Sequence, residues 1–288
     1  MFSVVIPLYN KEQSVLKTIN SVLNQSFKDF ELIVVNDGST DNSVNQINTI
    51  NDERLKIIHQ ENKGISSTRN TGIRAAKFDW IALLDADDLW DQHHLENFAS
   101  SINKTPEVKV ISSGYRVAKK DGTKLSETVV SKEGFYNFFD ISLIHRFVVH
   151  SSSIAFNKNK FTNIWFNEQL SKGEDLHFWE QLAKKTPFYL LATISSSYID
   201  DAENKVVYKH HPLSKTHVYT IDKQNLTDDK KRKYYNNLIL HSIFMVFEKQ
   251  QTISDALKIY WKYASFIGLK GFYEFGRILI DKRLEVKR

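Results

Sequence analysis

Short apolar runs recur along the first hundred residues, and a polar segment follows each of them. The runs are Phe2 to Ile6, Phe30 to Val35, Leu55 to His59 and Trp80 to Leu84. A short run without regular polar alternation is typical of a strand that is buried on both faces. We expect the first strand to end at Pro7, because proline has no N–H to donate to a neighbouring strand.

Apolar positions with helical spacing lie between and after these runs. They predict helices from Glu12 to Asn24, from the Asp41 turn to about Ile50, from the segment Asn62 to Asn70 on to about Lys77, and from His93 to Ile102. Strands that alternate with helices through short links favour a doubly wound, mainly parallel sheet. The predicted fold class is therefore α/β.

Shorter elements are predicted in the later part of the chain. The expected strands are Val108 to Val117, Ser151 to Phe156, Phe188 to Ala192 and Val206 to Lys209, with a hairpin turn at Asp121-Gly122. From Lys223 the pattern changes to helices, the last two predicted at Ile253 to Ile267 and Phe272 to Leu284. We divide the chain into residues 1–103, residues 104–221 of the same domain, and a helical region at 222–288.

An aromatic segment runs from Gly134 to Ile144. It contains Phe135, Tyr136, Phe138 and Phe139. Aromatic side chains bury large areas, so this stripe is interpreted first as core, with a platform for a sugar ring as the alternative.

Composition narrows the class of protein. A chain of 288 residues can bury a sizeable core, and without cysteine it has neither disulfides nor thiolate metal sites. The N-terminus lacks the basic region of a signal peptide, and no apolar stretch is long enough to span a bilayer. We therefore expect a cytoplasmic location. The net charge of +5 comes from the helical region, which makes nucleic acid a poor partner.

Polar clusters follow the carboxyl ends of the first four predicted strands. They are Tyr9-Asn10, Asp37-Gly38-Ser39, Asn62 to Asn70 and Asp85 to Asp88. In a doubly wound sheet, ligands bind beyond the carboxyl ends of the strands, so these four turns should form one site.

The acidic cluster suggests the chemistry of that site. Asp85, Asp87 and Asp88 place three carboxylates within four residues, which suits Mg²⁺ or Mn²⁺. The alternative is an acidic turn that caps the next helix. Asp37 could accept a hydrogen bond from a nucleobase, and Arg69 could pair with a phosphate. The chain has neither a P-loop nor a Gly-x-Gly-x-x-Gly turn, so a nucleoside diphosphate held through a metal fits best.

Four motifs in order carry a family resemblance. Val-Ile-Pro-Leu-Tyr-Asn, Val-Asn-Asp-Gly-Ser-Thr-Asp, Asn-Lys-Gly-Ile-Ser-Ser-Thr-Arg-Asn and Leu-Leu-Asp-Ala-Asp-Asp together resemble family 2 glycosyltransferases with the GT-A fold. The resemblance implies an inverting transfer from a nucleotide-diphosphate sugar, UDP being favoured over GDP. It makes 1–103 the nucleotide-sugar-binding part and 104–221 the acceptor-binding and catalytic part.

The resemblance also implies roles for individual residues. Asp37 would recognise the base, Asp87 would be the more direct ligand of a Mn²⁺ or Mg²⁺ cofactor, and Asp85 or Asp88 would lie nearer the ribose. The expected metal ligands are Asp87, Asp88 and His211. The expected donor-binding residues are Pro7, Tyr9, Asn10, Glu12, Asp37, Gly38, Asn62, Gly64, Arg69, Asp85, Ala86 and Asp87.

Two later elements complete the expected site. Glu174 and Asp175 open a predicted helix, where acidic residues are common because they face the positive end of the helix dipole. The resemblance instead makes Asp175 the general base, with Glu174 orienting the acceptor or the helix. His211, more than His210, resembles a histidine that serves the metal or diphosphate. Lys209, Lys215 and His217 could neutralise phosphate charge beside it. The alternative is that this segment is a basic surface loop.

The expected partners are a nucleotide-sugar donor and a saccharide or lipid-linked acceptor, as in cell-surface polysaccharide synthesis. The helical region could lie on an anionic membrane, pack on the catalytic domain or form a homodimer. A sugar nucleotidyltransferase and a catalytically silent nucleotide-sugar scaffold are the competing functions.

Overall fold

The structure is a computed structural model that describes residues 1–145, 147–204, 211–222, 226, 228–249, 254–268 and 273. The strands are β1 (Phe2–Leu8), β2 (Phe30–Asp37), β3 (Leu55–Gln60), β4 (Trp80–Leu83), β5 (Leu89–Trp90), β6 (Val110–Ala118), β7 (Lys124–Thr128), β8 (Gly134–Tyr136), β9 (Ile154–Asn157) and β10 (Phe188–Ile199). The helices are α1 (Val15–Leu23), α2 (Ser43–Ile47), α3 (Ile65–Ala75), α4 (His94–Lys104), α5 (Phe138–Ile144), α6 (Glu174–Ala183), α7 (His217–Thr220), α8 (Asp229–Lys249) and α9 (residues 254–268).

One mixed sheet organises the fold. Its main path has the order β3-β2-β1-β4-β9-β6-β10-β5, while β7 pairs with β6 and β8 pairs with β10. The strands β3, β2, β1 and β4 are parallel, β9 is antiparallel to both of its neighbours, and β6 and β10 are parallel. The predicted α/β class with a mainly parallel sheet is confirmed. The carboxyl ends of the first four strands lie at one edge.

Side chains along the central strands alternate between two cores. Val4 and Ile6 belong to the core beneath α1, α2 and α4, while Val5 belongs to the core on the other face. Because successive residues of a strand point to opposite faces, a strand covered on both sides is apolar throughout. This is why the apolar runs predicted the strands well.

The first strand differs from the prediction because it continues through Pro7 to Leu8. Pro7 pairs with Val35 in the parallel ladder with β2. The carbonyl of Val5 accepts from the N–H of Leu84, so this side of β1 faces β4. The backbone nitrogen of Pro7, two residues further along β1, faces the same side. The ladder between β1 and β4 ends at the pair Val5 and Leu83, so Pro7 lies beyond it. The missing N–H therefore faces no strand, which is where a sheet tolerates proline.

Other differences are local. The segment Ser151–Ser153 is a short 3₁₀ turn before β9, β10 is longer than predicted, and the two-residue β5 was not predicted. The hairpin turn at Asp121-Gly122 is present between β6 and β7, with Gly122 at a φ of 89°. The predicted strand Val206 to Lys209 and, apart from Tyr273, the helix Phe272 to Leu284 lie outside the described residues.

The aromatic segment divides between core and surface. Phe138 and Phe139 on α5 are buried in the core that also contains Val5. Phe135 on β8 is 45% exposed. The core interpretation is therefore confirmed for Phe138 and Phe139, while the sugar platform stays a prediction.

The C-terminal helices pack on the core that contains Val5 of β1. The apolar stripe of α8, including Ile239 and Ile243, belongs to the same core as Val5 on β1. Buried residues of α9, including Ala256 and Ile259, join it. Among the described residues, no helix is both long and apolar enough to cross a membrane.

Candidate active site

The loops after β1 and β2 are held together at the carboxyl edge of the sheet. Asn10 adopts a φ of 51°, and its backbone N–H donates to Oγ of Ser39 over 3.1 Å. Oδ1 of Asn10 accepts from the N–H of Thr40 over 2.8 Å. A left-handed backbone is accessible to asparagine more readily than to most residues. The neighbouring Tyr9 is 36% exposed, so its ring is available at this edge.

Glu12 precedes α1 and contacts the residues that lead into α2. Its Oε2 accepts from the N–H of Asn42 over 2.9 Å, and its own N–H donates to Oδ2 of Asp41. This predicted donor residue therefore orders the loop between β2 and α2.

Asp37 organises the approach to α3. Its buried carboxylate accepts from the N–H groups of Lys63 and Gly64, each over 2.9 Å, and from Nε2 of Gln60 over 2.7 Å. Gly38 has a φ of 70°, and a Cβ there would lie 3.1 Å from the backbone nitrogen of Asn62. Four predicted donor residues are thus brought together: Asp37, Gly38, Asn62 and Gly64.

The acidic turn after β4 is anchored to α1. The carbonyl of Ala86 accepts from Oγ1 of Thr18 over 3.0 Å and from Oγ of Ser14 over 3.1 Å. Oδ2 of Asp87 lies 2.6 Å from Nζ of Lys11, which also donates to the carbonyl of Glu203. The residue predicted as the more direct metal ligand is therefore paired with a cation of the protein.

Asp88 and Asp85 approach a histidine that the sequence interpretation missed. Asp88 is fully buried, and its carboxylate accepts from Oγ of Ser152 and from the N–H of Ile199. Ligand atoms of Asp85, Asp88 and His150 lie within 4.8 Å of one another. Two carboxylates and an imidazole are a suitable partial ligand set for a divalent ion. No motif marks His150, because only the turn into β9 brings it beside Asp88.

A buried arginine connects the two halves of the site. Arg69 on α3 is 2% exposed, and its guanidinium lies 2.8 Å from Oδ1 of Asp85 and 3.0 Å from Oε1 of Glu174. It also donates to Oγ of Ser151 over 3.2 Å. Rather than standing open to a phosphate, Arg69 joins the acidic turn after β4 to the first turn of α6.

The shared arginine affects its two carboxylates differently. Burial raises the pKa of Asp85, but the nearby Arg69 and His150 outweigh it, so the pKa lies below its usual range. Burial, aided by the charge of Asp175, raises the pKa of Glu174 to about 7 despite Arg69. One site therefore contains an acidic group that stays ionised and another that titrates near neutral pH.

Glu174 and Asp175 open α6 as predicted. Gly173 precedes the helix with a φ of 75°, and Asp175 is half-buried in the first turn. The positive end of the helix dipole favours both carboxylates there.

His211 contacts the residues that precede α6. It is buried, and its Nδ1 lies 3.0 Å from Oγ of Ser171, just before α6. His217 is bonded to Glu180 over 2.9 Å instead of facing the acidic turn. Lys209 and His210 lie outside the described residues.

The fold and site define an α/β protein of the GT-A class, with its polar groups gathered at the carboxyl edge of the sheet. The family model described as "Glycosyl transferase family 2" matches residues 3–165, more than half of the 288-residue chain. The chain belongs to glycosyltransferase family 2, which confirms the resemblance found in its motifs.

Curated relatives are similar over parts of their length. Glycosyltransferase GlyG of Streptococcus pneumoniae is 33% identical over 125 residues, which is 42% of each protein. Chondroitin synthase of Escherichia coli is 26% identical over 243 residues, covering 81% of this chain and 34% of the relative. The first three relatives are matched over 42%, 30% and 26% of their own lengths, so the chain spans less than half of each.

Solved structures share the fold. Residues 1–349 of S. aureus TarS in complex with UDP-GlcNAc superpose with a TM-score of 0.66 at 17% identity, covering 97% of this chain and 80% of that one. The same protein in complex with UDP has a TM-score of 0.64 at 18% identity, covering 99% of this chain and 91% of that one.

Proposed function

We propose that this chain is a metal-dependent, inverting glycosyltransferase that moves a sugar from a UDP-sugar to a hydroxyl of a saccharide or lipid-linked acceptor. The observation that carries the proposal is the Arg69 bridge, with contacts of 2.8 Å to Asp85 and 3.0 Å to Glu174. It brings the Asp-x-Asp turn and the Glu-Asp helix, distant in sequence, to one guanidinium. A shared site is what transfer from a diphosphate leaving group requires.

Asp175 acts as the general base in this proposal. Inverting transfer needs one carboxylate to accept the proton of the acceptor hydroxyl as its oxygen attacks the anomeric carbon. Asp175 lies in the first turn of α6 and is half-buried. Glu174, paired with Arg69, holds that turn against the donor side.

The donor would lie along the edge formed by the loops after β1 to β4. Asp37 would recognise the base, and Tyr9 and Asn10 would line the same edge. The TarS structures support a uridine nucleotide, since that GT-A protein was crystallised with UDP and with UDP-GlcNAc. His211, buried beside the approach to α6, would serve the diphosphate.

The Asp85 to Asp88 turn fits a divalent ion. Asp87 and Asp88 are the proposed carboxylate ligands, and His150 adds an imidazole within 4.8 Å of ligand atoms on Asp85 and Asp88. When bound, a Mn²⁺ or Mg²⁺ ion would neutralise the diphosphate as it departs. Lys11 would have to release Asp87 for that carboxylate to act as a ligand.

The location is proposed as the cytoplasm, with contact to the anionic face of a membrane. Trp261 on α9 is 71% exposed, and Lys258 and Lys262 lie on the same helix. An exposed tryptophan on a helix that carries the exposed Lys258 suits an anionic lipid surface, whereas Nζ of Lys262 donates to the carbonyl of Tyr219. A lipid-linked acceptor would be presented at that surface.

A donor screen tests the proposal. The chain is incubated with UDP-, GDP- and dTDP-sugars with and without Mn²⁺, and nucleotide release is measured. We expect metal-dependent release from a UDP-sugar, lowered at least 100-fold by D175N with UDP affinity unchanged. UDP binding without turnover would favour the silent scaffold, and formation of a nucleotide sugar from a sugar phosphate would favour a nucleotidyltransferase. Full activity of D175N would refute the assignment of the base.

A further inference from the structure

A buried carboxylate on α6 connects three helices. Glu180 is 2% exposed and accepts from Nε2 of His217 over 2.9 Å and from the hydroxyl of Tyr234 over 3.0 Å, both at Oε1. Its Oε2 accepts from the hydroxyl of Tyr235 over 2.7 Å. His217 begins α7, and both tyrosines lie on α8. We call these four residues the Glu180 clamp.

The clamp depends on all of its donors. A carboxylate taken out of water is costly unless hydrogen bonds replace its hydration, and removing one donor leaves that cost uncompensated. Burial and the charge of Glu180 raise the pKa of both tyrosines, so their hydroxyls keep the protons that they donate. The clamp therefore favours a single arrangement of α6, α7 and α8.

Backbone contacts extend this arrangement to the start of α6. The N–H of His217 donates to the carbonyl of Lys172 over 2.9 Å, and the N–H of Ser171 donates to the carbonyl of Lys215 over 2.8 Å. A Cβ on Gly173 would lie 3.0 Å from Cβ of His217. The segment 211–217, which contains His211, thus runs directly beside the residues that lead into α6.

We propose that the Glu180 clamp positions Asp175 relative to His211, so that the C-terminal helices set the geometry of the active site. This inference rests on the proposed function, because it takes Asp175 as the base. Glu180 and Asp175 are five residues apart on one helix, about 7.5 Å along its axis. A change at one end of so short a helix moves the other end, and misplacement by about 1 Å can lower a rate by about 100-fold. The clamp residues are positioning residues and do not contact the substrate.

Conservative variants test the clamp against a matched control. Y235F removes the hydroxyl that donates to Glu180, and E180Q replaces one accepting oxygen with an NH₂ group. H217A removes the N–H donor of His217, whereas H217Q keeps one. The control is Y263F, because the buried hydroxyl of Tyr263 contacts α7 at the carbonyl of Val218, and also the carbonyl of Ile221, without donating to Glu180. Metal-dependent hydrolysis of the UDP-sugar gives kcat and KM, and UDP affinity and Tm are measured alongside.

We expect Y235F, E180Q and H217A to lower kcat at least tenfold, with KM and UDP affinity within twofold of the wild type. H217Q should recover most of the loss, and Y263F should keep kcat within twofold although its Tm falls as far as that of Y235F. A fall in Tm without a fall in kcat in the three clamp variants would overturn the proposal. So would an equal loss of kcat in Y263F.

Hydrogen exchange separates this inference from the proposed function. In E180Q, amide exchange in the first turn of α6 and in segment 211–217 should rise together, while Y263F should leave exchange in the first turn of α6 unchanged. Unchanged exchange in E180Q would overturn the clamp. A wild-type chain that hydrolyses no nucleotide sugar would overturn the proposed function instead, and the exchange result would still decide whether the clamp exists.

Discussion

Nζ of Lys11 lies 2.6 Å from Oδ2 of Asp87, so a cation from the loop after β1 neutralises the acidic turn after β4. The same Nζ donates to the carbonyl of Glu203, and Oε1 of Glu203 accepts from Oγ of Ser14 over 2.8 Å. Glu203 therefore lies beside the loop after β1, which is proposed to bind the donor. An ion that binds Asp87 must compete with Lys11.

The competition between Lys11 and the metal ion is testable. We expect K11M to tighten Mn²⁺ binding about three- to tenfold in the absence of nucleotide, because it removes the positive charge beside Asp87. The measurement is a calorimetric or EPR titration with Mn²⁺. K17M on the exposed face of α1 makes the same charge change away from Asp87 and should leave the affinity unchanged. Weaker Mn²⁺ binding by K11M would contradict the competition.

The identity of the histidine ligand can be decided by comparing two variants. We expect H150Q to weaken Mn²⁺ binding about tenfold, because a ring nitrogen of His150 lies within 4.8 Å of carboxylate oxygens of Asp85 and Asp88. H211Q should leave binding of the free ion within twofold, since His211 contacts Ser171 and is proposed to serve the diphosphate. The opposite order would show that the histidine expected from the family resemblance is the ligand.

The Arg69 bridge should stabilise the protein more than a surface ion pair does. R69K keeps the positive charge. A lysine ammonium lacks the two separate nitrogens with which the planar guanidinium contacts Asp85 and Glu174 at the same time. We expect it to lower the free energy of unfolding by about 3 kcal/mol. R54K, which alters the partly exposed pair of Arg54 and Asp52, should cost less than about 1 kcal/mol. Urea denaturation measures both, and equal losses would contradict a bridging role for Arg69.

The raised pKa of Glu174 predicts a pH dependence of stability. Its pKa rises from 4.5 to about 7 on folding, so between these values the folded state binds more protons than the unfolded state. The free energy of unfolding should therefore be higher below pH 4.5 and fall as pH rises to 7, by on the order of 1–3 kcal/mol. Urea denaturation from pH 4.5 to 8 should show this slope in the wild type and a smaller slope in E174Q. Equal slopes would refute the raised pKa.

Membrane contact depends on α9 in the proposal. We expect flotation with anionic liposomes to recover the wild-type chain at low salt, and W261S to reduce the recovered fraction several-fold. W165S changes another exposed tryptophan, 40% exposed and packed against Arg74, and should have no effect. Absence of wild-type flotation would contradict membrane contact and leave packing or a homodimer as the role of the C-terminal helices. Deleting them is a poor test, because α8 belongs to the core.

Prediction from the sequence worked where the signal was local. The strand β4 and the turn after it were predicted because Ile81 to Leu84 are apolar and Asp85 to Asp88 are acidic. Asp37 and Gly64 were expected at one edge, and a direct hydrogen bond joins them. The β9 strand was misjudged at its start because the serines of Ser151–Ser153 resemble a polar strand, whereas they form a turn closed by His150.

The sequence by itself determined the class of fold. The strands β1, β2 and β4 are apolar throughout, and such strands must be covered on both faces, as they are in an α/β sheet. It also determined the family, because four motifs occur in the order of their strands. Only the tertiary structure decided the partners of each polar group: Lys11 for Asp87, Arg69 for Glu174, His150 for the acidic turn and two tyrosines for Glu180. These pairs join residues distant in the chain, and no periodic pattern records contacts that depend on how helices and loops pack across the sheet.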